Sequence, residues 1–149
     1  MEKVQFSTRI NAPVHTVWTT MLEDASYREW TRSFQEGSFF DGSWTVHSTI
    51  RFLAPDKHGV LSGLVGRVVE KRTDEFVAVE YLGQVVDGAD DTESELARSM
   101  AGMRESYAFV EENGVTTVTV EQDTVPEMRA MLEESWPKSL AALKELAEA

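Results

Sequence analysis

Glu105, Tyr107 and Phe109 are spaced two apart. In a strand, that spacing points all three to one face. Phe109 belongs in a core. Glu105 and Tyr107 then place a carboxylate and a phenol on an apolar wall, where they can orient a ligand or move a proton. The competing expectation puts Glu105 at the end of the sheet, in water or paired to an arginine, because buried carboxylates are uncommon.

Other candidate groups are weaker. The histidines His15, His47 and His58 show no metal-ligand spacing. His15 falls on the polar side of a helical pattern and His58 in a turn. His47 lies near Trp44 at a strand entrance, and a general base needs a positioned partner. The acidic run through Asp87, Asp90, Asp91, Glu93 and Glu95 lacks the spacing of a calcium loop and reads as a solvated face. There is no cysteine, hence no thiol nucleophile and no Cys-based zinc or iron–sulfur site. A nucleophile elbow and a phosphate-cradling glycine loop are also absent. No cofactor and no metal is expected.

Composition narrows the partners. The chain has 149 residues, with 14 Lys+Arg against 26 Asp+Glu and a net charge of −12. That length suits one domain over 1–149. That charge repels phosphate backbones and anionic lipid heads, so neither nucleic acid nor membrane insertion is expected. No apolar run approaches 18 residues and the N-terminus has no signal-like apolar region, which points to the cytoplasm.

The elements that must position Glu105 and Tyr107 follow from periodicity. Val4 to Ile10 alternates as a strand. Val14, Val17, Trp18, Met21 and Leu22 have helical spacing, with Asn11 as the expected N-cap and Pro13 in the first turn. A short helix over Ala25–Trp30, capped by Asp24, follows. Strands are expected at Gly37–Asp41, Thr49–Ala54, Val60–Lys71, Phe76–Val85, Arg104–Glu111 and Val115–Asp123. The segment from Asp87 to Ala97 reads as an acidic loop with room for a helical turn. A long last helix opens with Thr124 and Glu127 in capping-box spacing. It carries the stripe Met128, Met131, Leu132, Trp136, Leu140, Leu143 and Leu146, with a bend expected at Pro137.

Strands run together and helices stand apart, the order of an α+β fold. The long helix has one economical place, across the sheet with its stripe buried. Val77, Val79 and Tyr81 should face it, with Ala78 and Glu80 outward. Ile50, Phe52, Leu64, Val68, Val118 and Val120 complete that wall, and Met128, Met131, Leu132 and Trp136 form the lid opposite. Such a space is either a filled core or an apolar ligand pocket; two methionines on the lid suit a pocket of irregular shape. Trp30 and Trp44 either gate its mouth or are plain packing.

These stretches carry a resemblance. Ile10-Asn11-Ala12-Pro13 with Val17-Trp18, Tyr27-Arg28-Glu29-Trp30-Thr31, Phe34-Gln35-Glu36-Gly37-Ser38 and Gly42-Ser43-Trp44 are its N-terminal part. Ile50-Arg51-Phe52-Leu53-Ala54-Pro55, Glu105-Ser106-Tyr107-Ala108-Phe109, Asn113-Gly114 and Trp136-Pro137-Lys138 continue it. Together they resemble the START-like, or SRPBCC, superfamily, and within it the bacterial branch related to the activator of the heat-shock protein 90 ATPase. The resemblance implies a helix-grip fold, a curved antiparallel sheet around the C-terminal helix. It implies a non-catalytic binder of a hydrophobic or amphipathic small molecule, such as a lipid, held by Trp30, Trp44, Phe52, Leu64, Val79, Tyr81, Glu105, Tyr107, Phe109, Met128, Met131, Leu132 and Trp136. The same superfamily contains cochaperones that act on a chaperone ATPase, and cyclase or hydratase enzymes, so both stand as rivals.

Overall fold

A computed structural model describes residues 2–149. Strand β1 (Glu2–Ile10) leads into helix α1 (Val14–Leu22), helix α2 (Asp24–Trp30) and a 3₁₀ turn (Thr31–Ser33). Strands β2 (Phe39–Gly42), β3 (Thr49–Pro55), β4 (Leu61–Arg72) and β5 (Phe76–Val86) follow, then a short strand β6 (Ala89–Asp91) and helix α3 (Glu95–Met100). Strands β7 (Arg104–Glu112) and β8 (Val115–Thr124) precede the long helix α4 (Pro126–Glu148). All strands join one curved antiparallel sheet, in the order β1-β8-β7-β5-β4-β3-β2, with β6 on the far half of β5. The chain therefore has the expected α+β helix-grip architecture.

The alternating residues face inward as their period requires. Val77, Val79 and Tyr81 of β5 are buried, as are Tyr107 and Phe109 of β7 and Val118 and Val120 of β8. They form one cluster with Trp18, Met21, Trp30, Leu132, Trp136, Leu140 and Leu143 from the helices. Each large apolar side chain buried this way contributes about 1.5–3 kcal/mol. A second, smaller cluster of Leu53, Val65 and Val85 covers the other face of the sheet. Ala78 turns away from the main cluster as expected, yet it is fully buried. Its methyl lies mid-sheet, between register partners Glu70 and Ser106.

The helix ends differ from expectation. Asn11 does not cap α1: Pro13 is its cap residue, and Val14 N–H donates to Glu111 Oε1 at 2.6 Å. The Asn11 N–H instead reaches Glu148 Oε2 at 2.8 Å. Asp24 lies inside the first turn of α2, where it pairs with Arg28 at 3.1 Å, and Glu23 takes the cap position. The capping box on α4 does not form: Val125 is the cap residue, and Thr124 turns its hydroxyl to the Val125 carbonyl. Helix α4 continues through Pro137 to Glu148. The acidic segment is more ordered than a loop. Ser94 caps α3, and Asp91 accepts from the backbone N–H groups of Glu93 and Ser94 and from the side chains of Ser94 and Gln84. Those bonds hold the half-buried Asp91 carboxyl well below the usual carboxylate range.

Met128 and Met131 do not belong to the lid. They are 44% and 39% exposed, because no residue of α4 before Leu132 is buried and its first turns stand clear of the interior. The buried stripe uses Ser135 and Ser139 instead. These small side chains let the 3₁₀ turn approach closely, and Ser33 Oγ bonds to Ser139 Oγ.

Candidate functional site

Register places Val79 of β5 opposite Glu105 of β7. Tyr81, two residues beyond Val79 on the same face, is then a diagonal neighbour of Glu105, within reach of a long side chain. Gly66, the register partner of Tyr81 on β4, leaves room for it. A Cβ at Gly66 would stand 2.7 Å from Val79 Cγ1 and 3.5 Å from Tyr81 Cδ1. Tyr81 donates its hydroxyl to Glu105 Oε1, and Tyr107, from the same strand as Glu105, donates to Oε2. Each carboxyl oxygen thus has one phenol, and Glu105 has no cation partner among the described residues. Neighbouring Arg104 pairs instead with Glu80 at 3.8 Å.

Burial pushes the Glu105 carboxyl up, and the two phenol bonds only partly offset that rise. Part of the Glu105 surface stays accessible although protein surrounds the group. The surrounding atoms govern its electrostatics, so the carboxyl is enclosed but not sealed. Burial and the nearby carboxyl push the phenols of Tyr27, Tyr81 and Tyr107 well above their ordinary range.

Aromatic rings occupy the space around this carboxyl. Tyr107 lies 5.9 Å from Trp136 and 6.2 Å from Trp44, ring centre to ring centre. Trp136 continues to Trp30 at 5.9 Å and to Phe34 at 4.9 Å. Trp44 continues to Phe40 and Phe52 at 5.7 and 5.8 Å, and Tyr27 packs on Phe40 at 5.1 Å. Phe34, Phe40, Phe52 and Leu64 are half-buried and form the rim. The structure therefore brings together Trp30, Trp44, Phe52, Leu64, Val79, Tyr81, Glu105, Tyr107, Phe109, Leu132 and Trp136, and leaves Met128 and Met131 outside.

Gln122 and Tyr27 also belong to this interior, and neither carried an expectation. Gln122 faces Glu105 across β7 and β8, and its Oε1 accepts the Trp136 indole N–H at 2.8 Å. Its signal was the alternation Val118, Val120, Gln122, which makes it the next inward position. Tyr27 had no comparable signal, since its burial depends on how α2 meets the sheet.

The histidines stand apart. His47 lies in an exposed turn, and His15 meets Asp74 at 2.9 Å on the surface. Among the described residues no group of three or more His, Asp or Glu comes together to hold a metal. No helix among them is long and apolar enough to cross a membrane. Two surface depressions lie elsewhere. One of about 350 Å³ is on the outer face, beside Arg51 and Asp90. One of about 250 Å³ lies between β1 and α4, beside Lys144. Asp90 already satisfies Arg51 at 2.6 and 2.8 Å, so the chemistry is at Glu105, not in these hollows.

Solved structures share this fold. Protein CV1439 from Chromobacterium violaceum superposes with a TM-score of 0.70 at 16% identity, covering 100% of this chain and 99% of that one. The Aha1 dimer from Colwellia psychrerythraea gives 0.67 at 18% identity, covering 99% and 97%. DynU16, a protein in the dynemicin biosynthetic locus, gives 0.69 at 14% identity, covering 100% of this chain and 48% of that one. No protein-family pattern matches the chain. No curated protein sequence matches it either. At these identities the likeness defines a fold class, and function has to be argued from the site.

Proposed function

We propose that this protein binds an amphipathic or hydrophobic small molecule between its sheet and α4, without transforming it. The observation that carries the reading is the Glu105 carboxyl held by two phenols in an aromatic interior. Enclosing a carboxyl without a cation is unfavourable. These bonds join only β7 to itself and to β5, strands already paired by their backbones. They add no new tie between distant elements, so stability does not explain them. A polar anchor within apolar walls is what a small-molecule site needs. Ligand entry requires the half-buried rim rings, Phe40 and Phe52 among them, to swing aside. DynU16, of a biosynthetic locus, has the same fold, which agrees with a small-molecule role.

Native mass spectrometry of the purified protein, followed by organic extraction, tests this. A stoichiometric co-purifying molecule, lost in the Tyr107→Phe and Trp136→Ala variants, is the expected result. Affinity unchanged in both variants would remove the site.

The Aha1 dimer supports a second reading, an interaction module acting on a chaperone ATPase. Retention of this protein on its own cell's immobilised chaperone, above control, is what that reading expects.

A further inference from the structure

Resting on the binding role above, we propose a ligand class for the interior. It takes an uncharged molecule with a flat apolar body and one hydrogen-bond acceptor that receives the Trp44 indole N–H, and it turns away anionic amphiphiles.

Trp44 is only 8% exposed, and its Nε1 is covered with no hydrogen-bond partner. Two other tryptophans of this cluster do have acceptors. Trp30 Nε1 donates to the Met21 carbonyl at 3.1 Å and Trp136 Nε1 to Gln122 at 2.8 Å. A buried donor without an acceptor is rare and unfavourable. A contact with a neighbouring ring face recovers only a fraction of an ordinary bond.

The position of the indole is built into the fold. The turn carrying it is bonded to β4 on both sides, His47 N–H to the Val68 carbonyl at 2.8 Å and Val68 N–H to the Ser48 carbonyl at 3.0 Å. His47 takes a left-handed backbone, φ 73°, to close that turn. Trp44 then lies 6.2 Å from Tyr107, ring centre to ring centre, and Tyr107 holds Glu105, so one ring stands between the tryptophan with the orphan donor and the carboxyl.

Charge sets the rest of the class. No lysine, arginine or histidine is buried among the described residues. The enclosed group is a carboxyl, and the whole chain carries −12. A ligand carboxylate would meet a second carboxyl in a poorly solvated space, without a cation between them. The donor asks for a neutral acceptor such as a ketone, and the rings of Trp44, Phe52, Phe40 and Tyr27 suit a planar body.

A matched tricyclic series tests this on the intact protein: fluorene, fluorenone, aminofluorene and fluorene carboxylate. Affinities come from calorimetry, and nitrogen–proton NMR follows the Trp44 indole signal. Fluorenone should bind roughly tenfold tighter than fluorene, since it supplies the missing acceptor. It should also shift the Trp44 indole proton downfield. Fluorene carboxylate should bind weakest. Trp44→Phe should remove the advantage of fluorenone over fluorene, so that the two bind alike in the variant. Fluorenone no better than fluorene, an unmoved Trp44 signal, or tightest binding by the carboxylate or the amine overturns the ligand class while interior binding stands. Failure of all four compounds to bind overturns the binding role and this inference with it. The NMR reading on the unmodified protein decides the matter even where Trp44→Phe folds poorly.

Discussion

Trp136 donates its indole N–H to Gln122 Oε1 across 2.8 Å, and so ties α4 to the inward face of β8 near the C-terminal end of that strand. Both side chains are buried. Removing the acceptor leaves a buried N–H without a partner, the expensive side of hydrogen bonding. Gln122→Leu should therefore lower the unfolding free energy by about 1–3 kcal/mol. Urea denaturation would show it as a lower midpoint at constant slope.

Glu105 sets a pH dependence with a definite sign. Burial lifts its carboxyl above the ordinary value of 4.5, so the folded chain keeps a proton that the unfolded chain releases. The contribution is fully present below pH 4.5 and is lost as pH rises through the raised folded value. Glu105→Gln stays neutral throughout and still offers one oxygen to a phenol. The Tm difference between variant and parent should be smallest in acid and should grow in favour of the variant as pH rises. A difference that shrinks with rising pH would contradict an enclosed, raised carboxyl.

The first N–H of α1 is satisfied by a carboxylate from β7, Glu111 Oε1 on Val14 at 2.6 Å. This contact replaces a local cap and favours negative charge at a helix N-terminus. Glu111→Ala should destabilise the fold by about 1 kcal/mol. Exchange of the α1 amides should speed up more than that of the α4 amides, as hydrogen exchange can show.

Met128 and Met131 lie outside the interior. Replacing both with lysine should change stability by no more than about 0.5 kcal/mol, and affinity for fluorenone should stay as in the parent. A marked loss of affinity would place the first turns of α4 over the site after all.

Much of this arrangement was legible before folding. Period-two alternation turns Tyr81, Glu105, Tyr107, Phe109, Val118 and Val120 inward, and helical spacing marks Leu132, Trp136, Leu140 and Leu143 as the gripping stripe. Those patterns are local, set by the geometry of a single strand or helix. Helix ends were less legible. Asn11, Asp24 and the Thr124–Glu127 pair all have local capping chemistry, yet Glu111 and Glu148 reach the α1 end from 97 and 137 residues away. A distant carboxylate outcompetes a local cap once the sheet brings it near.

By itself, then, the sequence determined the class of fold and the shared strand face of Glu105, Tyr107 and Phe109, because both follow from periods of two and of about 3.6 residues. Tertiary structure alone decided what those groups meet. The β5–β7 register put Tyr81 beside Glu105, where an arginine was equally compatible with the sequence. The length of α4 beyond its packing partners left Met128 and Met131 in solvent. The turn pinned to β4 sealed the Trp44 N–H away from every acceptor. Each outcome depends on contacts between segments far apart in the chain, and no local spacing encodes them.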